Sequence, residues 1–120
     1  MQENWNDQQP IYRQLRDRVA ALVMSGQIKE GEFVPSVRQV ATESQVNHLT
    51  VSKAYQELVD EGVLEMKRGR GMCVMTGAQE QLQKLERSRF IQEQLPEFAK
   101  KMQQLNITPQ ELIELIKEIQ

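Results

Sequence analysis

Three groups of side chains that can donate hydrogen bonds lie between residues 36 and 70 of this 120-residue chain. Ser36 and Arg38 form a first group, residues 47–53 a second, and residues 68–70 a third. Such donors suit phosphate oxygens and the edges of nucleic-acid bases. Bond-making chemistry is not supported, because the chain has one histidine and one cysteine and shows no nucleophile–base pair, acid pair or ligand cluster. We therefore predict no catalysis, no metal and no cofactor.

The elements that must position these side chains are marked by local signals in residues 35–75. Ser36 followed by Gln39 is a capping box that opens a short helix. Asn47 is placed to cap a second helix, and Gly62 is placed to end it. Two short strands around a glycine-rich tip follow. This order predicts a winged helix-turn-helix, which lays one helix in the major groove of DNA.

One more helix is expected before this segment. Pro10 suits a first turn, and an apolar stripe continues to about Ser25, where Gly26 ends it. The following loop, residues 27–35, is expected to be pinned to the core by Ile28 and Phe33.

These residues resemble the DNA-binding domain of the GntR family of bacterial transcription regulators. The family's ordered motifs correspond here to Pro35–Ala41 (PSVRQVA), Thr50–Ala54 (TVSKA), Leu58–Val63 (LVDEGV) and Gly69–Gly71 (GRG). Pro10–Leu15 (PIYRQL) is similar to the family's opening helix. The resemblance covers about residues 8 to 76, and a chance match to several ordered motifs is improbable.

The chain is too short for the large effector domain that most members of this family carry. At 14.0 kDa, only residues 77–120 remain after the wing, too few for a ligand-binding fold with its own core. In length and tail pattern the chain resembles the YtrA-like subgroup, whose tail is two helices used for dimerisation. The predicted fold is mainly α with a small β-hairpin wing: residues 1–76 form the winged helix-turn-helix, and residues 77–120 form a helical dimerisation tail.

The tail is predicted to contain a long helix over residues 78–105, kinked at Pro96, and a last helix starting at Thr108. Its apolar face has no partner within a domain already closed by three helices, so a homodimer is favoured. The alternative is a tail that folds back onto its own domain. The residues predicted for dimerisation are Leu95, Phe98, Met102, Leu105, Leu112, Leu115, Ile116 and Ile119.

The resemblance also implies which residues meet DNA: Ser36, Arg38, Asn47, His48, Leu49, Thr50, Ser52, Lys53, Arg68, Gly69 and Arg70. Arg38 would grip phosphate or guanine, while Thr50 and Lys53 suit phosphate. The wing tip would enter the neighbouring minor groove.

Simpler interpretations of these residues remain open. Asn47 can serve only as a helix cap, and His48 can be an ordinary surface residue. Leu49 can contact a thymine methyl or turn inward onto the preceding helix. The tip at residues 68–70 can be a hairpin turn with solvated charges.

The net charge of −2 argues against a sequence-blind nucleic-acid binder, which would be strongly basic. Residues 34–75 are themselves balanced in formal charge, so the motifs carry the functional prediction. We predict a sequence-specific transcription regulator of the repressor type, acting as a homodimer on a palindromic operator in double-stranded DNA. A winged-helix module for protein contact, without DNA binding, is the alternative.

Cellular context follows from what the sequence lacks. No apolar run is long enough for a membrane span, and the single cysteine suits a reducing compartment, so a cytoplasmic location without membrane partners is expected. A small-molecule effector would have to bind in the tail or at the dimer interface, and the sequence does not identify one.

Overall fold

The structure is a computed structural model that describes residues 5–120. Its helices and strands are α1 Ile11–Met24, α2 Val37–Ser44, α3 His48–Asp60, β1 Leu64–Lys67, β2 Gly71–Val74, α4 Ala78–Arg89, a π-helical turn Phe90–Gln94, α5 Leu95–Gln104 and α6 Pro109–Ile119. The chain divides into two compact units, the first ending at Gln83 and the second starting at Lys84. The fold is mainly helical with a two-stranded hairpin, as predicted. Within the described residues, no helix combines the length and apolarity required to cross a membrane.

The core of the first unit is built from one face of each helix together with the hairpin. Helix α1 starts after Pro10 and ends where Gly26 adopts a φ of 83°, as the sequence predicted. The first turn of α4 is also part of this core, because Ala78 and Leu82 are fully buried. The buried apolar cluster comprises Leu15, Val19, Ala20, Val23, Val34, Val40, Val51, Ala54, Tyr55, Leu58, Val63, Leu64, Val74, Ala78 and Leu82.

The helix-turn-helix is held by local caps. Ser36 Oγ accepts a hydrogen bond from the Gln39 backbone N–H at 3.0 Å, and Asn47 Oδ1 accepts one from Leu49 N–H at 2.8 Å. The capping box is half formed, because the Gln39 side chain donates to Glu43 instead of returning to Ser36. Between the helices, Gln45 adopts a left-handed conformation with φ 53°.

Buried Tyr55 ties α3 to the strand-like segment that leads into α2. Its hydroxyl donates a hydrogen bond to the Pro35 carbonyl oxygen at 2.5 Å. Burial raises the pKa of Tyr55, so the hydroxyl keeps its proton and remains a donor. The angle between the two helices of the motif is thereby supported by a contact across 20 residues of chain.

The wing is an antiparallel pair in which Leu64 lies opposite Val74 and Lys67 lies opposite Gly71. At its tip Gly69 has a φ of 76°, which glycine adopts without steric penalty. Residues 32–34 add to the edge of β2, with the Val34 N–H donating to Met72 O at 3.0 Å. In this short edge segment Val34 is buried, whereas Phe33 is 36% exposed. The expectation that Phe33 pins the loop to the core was therefore wrong.

In the second unit the long tail helix is interrupted before Pro96. Leu95 N–H bonds to Phe90 O in the π-helical turn, and α5 then begins with Pro96 in its first turn. This wider turn replaces the regular ladder where proline lacks a donor. At the other end of α5, Asn106 takes a φ of 58°, and Thr108 Oγ1 caps α6 by accepting from Glu111 N–H at 3.1 Å.

Candidate nucleic-acid interface

Helix α3 presents two different faces. Val51, Ala54, Tyr55 and Leu58 are buried against the core. The opposite face exposes Asn47, His48, Leu49, Ser52 and Lys53, with Thr50 half-buried beside them. Leu49 is 65% exposed, so the alternative in which it turns inward onto α2 is wrong. The start of α3 therefore offers polar donors and one apolar side chain to an external partner.

Helix α2 brings two more predicted residues to this surface. Arg38 is exposed and shares a concave surface with Asn47 and His48. Ser36, the cap of α2, lines a separate groove together with Arg70 of the wing. The fold thus brings Arg38 of α2 together with the start of α3, and Ser36 together with the wing.

At the wing tip, Arg68, Gly69 and Arg70 are all exposed. The guanidinium of Arg70 lies 5.1 Å from the centre of the Phe33 ring, a cation–π contact. Phe33 therefore contacts the wing rather than the core. The sequence did not indicate this pairing, because the two residues lie far apart along the chain.

Ion pairs with α1 occupy two of the five carboxylates of residues 34–75. Glu57 pairs with Arg13 at 3.2 Å, and Glu61 pairs with the fully buried Arg16, so both carboxylates are turned toward α1. Among residues 5–120, none of the cations predicted to meet DNA (Arg38, Lys53, Arg68 and Arg70) forms an ion pair. Their charges are therefore not neutralised by any ion pair in the described part of the chain.

A second aromatic residue at this surface was missed by the sequence prediction. The Lys53 ammonium lies 4.1 Å from the centre of the Tyr12 ring. Tyr12 and Lys53 border a shallow depression with Ile11, Leu49 and Thr50. Tyr12 belongs to the opening motif of α1, which gave no indication of a contact with α3.

The residues predicted for dimerisation lie on a second surface, in the second unit. No residue of the π-helical turn, α5 or α6 is buried. Met102 and Leu112 are half-buried, and the others are exposed, Ile119 by as much as 83%. The exposed members are Leu95, Phe98, Leu105, Leu115, Ile116 and Ile119.

A helix-turn-helix whose second helix carries exposed donors, with a hairpin wing beside it, defines the class of winged helix-turn-helix DNA-binding proteins. Comparison with known proteins then identifies the family. The sequence pattern described as "Bacterial regulatory proteins, gntR family" matches residues 11–74. The chain belongs to this family of transcription regulators, as its motifs suggested, and it is not an enzyme.

Similar proteins match along almost the whole chain. The HTH-type transcriptional repressor YtrA of Bacillus subtilis is 38% identical over 92% of this chain and 84% of its own length. The uncharacterized HTH-type transcriptional regulator YhcF of the same organism is 31% identical over 98% and 95%. A GntR family transcriptional regulator from Listeria monocytogenes has a similar structure, with a TM-score of 0.77, 29% identity and coverage of 97% and 100%. The chain is therefore a YtrA-like member, with the short tail included in the match.

Proposed function

We propose that this protein is a transcriptional repressor that binds a palindromic operator in double-stranded DNA as a homodimer. The observation that carries the proposal is the surface of unpaired cations and exposed donors around α3. The similar protein YtrA is named a transcriptional repressor, which supports repression as the direction of regulation. The proposed place of action is the cytoplasm, where a bacterial regulator meets the chromosome.

The proposed DNA contacts have distinct roles. Arg38 donates to a phosphate or a guanine edge, and the first turn of α3 lies against the bases. Lys53 neutralises a phosphate, and the wing tip enters the adjoining minor groove. The full set is Ser36, Arg38, Asn47, His48, Leu49, Thr50, Ser52, Lys53, Arg68, Gly69 and Arg70.

The homodimer is proposed from the tail, residues 77–120, with residues 1–76 forming the DNA-binding part. The unburied apolar side chains of α5 and α6 favour association, since a bare apolar face of this kind is unfavourable in water. A second copy is the proposed partner, because symmetric dimers match symmetric operators. An effector, if the protein has one, would bind in the tail or at the dimer interface.

Binding to the promoter of the protein's own operon tests this function. Fluorescence anisotropy should show a preference of about 1,000-fold or more over a scrambled duplex at moderate salt. Two chains should bind each fragment, and addition of the protein should reduce transcription in vitro. Equal, weak binding to both duplexes would instead favour the alternative, a winged module for protein contact. The basic wing tip and the polar start of α3 argue against that alternative, since interface cores are depleted in charge.

A further inference from the structure

Lys53 and Tyr12 form a contact between the start of α3 and the start of α1. The Lys53 Nζ atom lies 4.1 Å from the Tyr12 ring centre, well within cation–π range. Lys53 itself is exposed, whereas Tyr12 is half-buried and packs against the core. The Tyr12 ring is therefore anchored in the protein, while the Lys53 side chain faces outward.

The ring is held by its own surroundings. Arg13, the next residue, pairs with Glu57 of α3 at 3.2 Å, and its guanidinium lies 5.9 Å from the Tyr12 ring centre. Partial burial acts to lower the pKa of Arg13, but interactions with the Tyr12 side chain and the charge of Glu57 outweigh it and raise the pKa. Arg13 therefore stays charged and lies between the Tyr12 ring and Glu57 of α3 as a contact of both.

An aromatic partner orders a lysine in a way that a carboxylate cannot. A carboxylate would neutralise the ammonium, as Glu65 does for Lys67 at 3.5 Å. A ring leaves the full positive charge in place and leaves ammonium donors available for a phosphate. A lysine held in this way loses less side-chain freedom when it binds.

We propose that Tyr12 is a positioning residue that holds the Lys53 ammonium ready for a DNA phosphate. This inference rests on the proposed function, because it needs Lys53 to meet DNA. It assigns Tyr12 an action through Lys53 and no contact with the bases. Tyr12 thereby joins α1 to the DNA-binding surface.

Substitutions that keep or remove the ring test the proposal. Tyr12→Leu should weaken operator binding about two- to fivefold. This is the factor by which an exposed cation–π contact should favour the Lys53 side-chain conformation that lies over the ring. Tyr12→Phe, which keeps the ring, should bind like the parent. In the Lys53→Met background, Tyr12→Leu should have no further effect. As a control, Tyr12→Leu should keep its effect in the Arg68→Ala background.

A measurement without DNA keeps the test valid if Tyr12→Leu folds poorly. In the folded protein, the NMR signals of the Lys53 ε-methylene should be shifted upfield by the ring in the parent and in Tyr12→Phe. An unshifted signal in the parent would overturn the inference, as would a Tyr12→Leu effect that persists in Lys53→Met. A Tyr12→Phe loss as large as that of Tyr12→Leu would overturn it too, by showing that the hydroxyl matters. If the parent failed to prefer operator over scrambled DNA, the proposed function itself would fail.

Discussion

Arg38 illustrates what a single side chain contributes at this surface. It is exposed in the first turn of α2, beside Asn47 and His48, and forms no ion pair within residues 5–120. Arg38→Ala should weaken operator binding by about 1–3 kcal/mol if the guanidinium grips a guanine, and should relax specificity at that base pair. Binding to operators with single base changes measures both effects.

Arg87→Ala is the matched control for Arg38→Ala, because Arg87 is an exposed arginine of α4 that is not among the proposed DNA contacts. It should bind like the parent. Equal affinities of both variants at moderate salt would contradict the proposed role of Arg38.

Ser44, near the end of α2, is a polar residue whose side chain is buried. It is 1% exposed, and its Oγ has no hydrogen-bond partner in the described residues. Ser44→Ala should raise the free energy of unfolding by about 0.5–1.5 kcal/mol, because it removes a desolvated hydroxyl and improves helix propensity. Urea denaturation checks this, with Ser52→Ala on the exposed face of α3 as a control expected to change less. A loss of stability would show that the hydroxyl is hydrogen-bonded in solution.

At the scale of elements, a buried ion pair joins α1 to the end of α3. Arg16 is fully buried, and its Nε donates to Glu61 Oε1 at 3.0 Å. Arg16→Met should lower the free energy of unfolding by about 3 kcal/mol, because Glu61 is left with little access to water. Arg13→Met, at a more exposed pair, should lower it by less than about 1 kcal/mol.

The double variant Arg16→Met with Glu61→Leu separates charge from packing. It should recover most of the loss, since apolar residues of similar size can replace a buried pair. Equal losses for Arg16→Met and Arg13→Met, measured by chemical denaturation, would contradict this account.

The turn of the helix-turn-helix contains a second element-scale feature. Gln45 adopts φ 53° and ψ 44°, a left-handed conformation unfavourable for a residue with a Cβ. Gln45→Gly should therefore stabilise the fold by about 0.5–1 kcal/mol. The same change at Gln56, within α3, should destabilise it by about 1 kcal/mol. Thermal unfolding of the two variants should move in opposite directions, and a common sign would refute the argument.

For the whole molecule, the proposed role of the tail is to bring two copies of the winged unit to DNA. Leu115 and Ile119 are exposed on α6. The paired change Leu115→Glu with Ile119→Lys should split the proposed dimer and leave the winged unit folded. Operator affinity should then fall by about 100-fold or more, because each half-site is bound alone. Sedimentation at micromolar concentration measures the assembly directly.

The control for that pair is Lys117→Glu with Glu118→Lys, which swaps charges on the same helix without touching its apolar residues. It should sediment like the parent. A parent that sediments at 14.0 kDa would instead support the alternative in which the tail folds back.

The sequence alone determined the features that depend on neighbours a few residues apart. Ser36, Asn47 and Thr108 cap the helices that their positions predicted, and Gly26 ends α1 where expected. These signals are reliable because a cap or a glycine turn is satisfied within one helical turn of itself. The family motifs and the order of elements followed from the same local patterns.

Only the tertiary structure decided which side chains meet across the chain. Arg16 and Glu61 are 45 residues apart, and the pairing of Glu57 with Arg13 likewise depends on how α1 packs against α3. Helix packing also placed Lys53 on Tyr12 and kept Leu49 exposed. Charge counts along the sequence cannot reveal such contacts, because each contact depends on where two helices cross and not on residue spacing. The packing of α1 against α3 therefore draws two carboxylates, those of Glu57 and Glu61, toward α1 and away from the cations proposed to bind DNA.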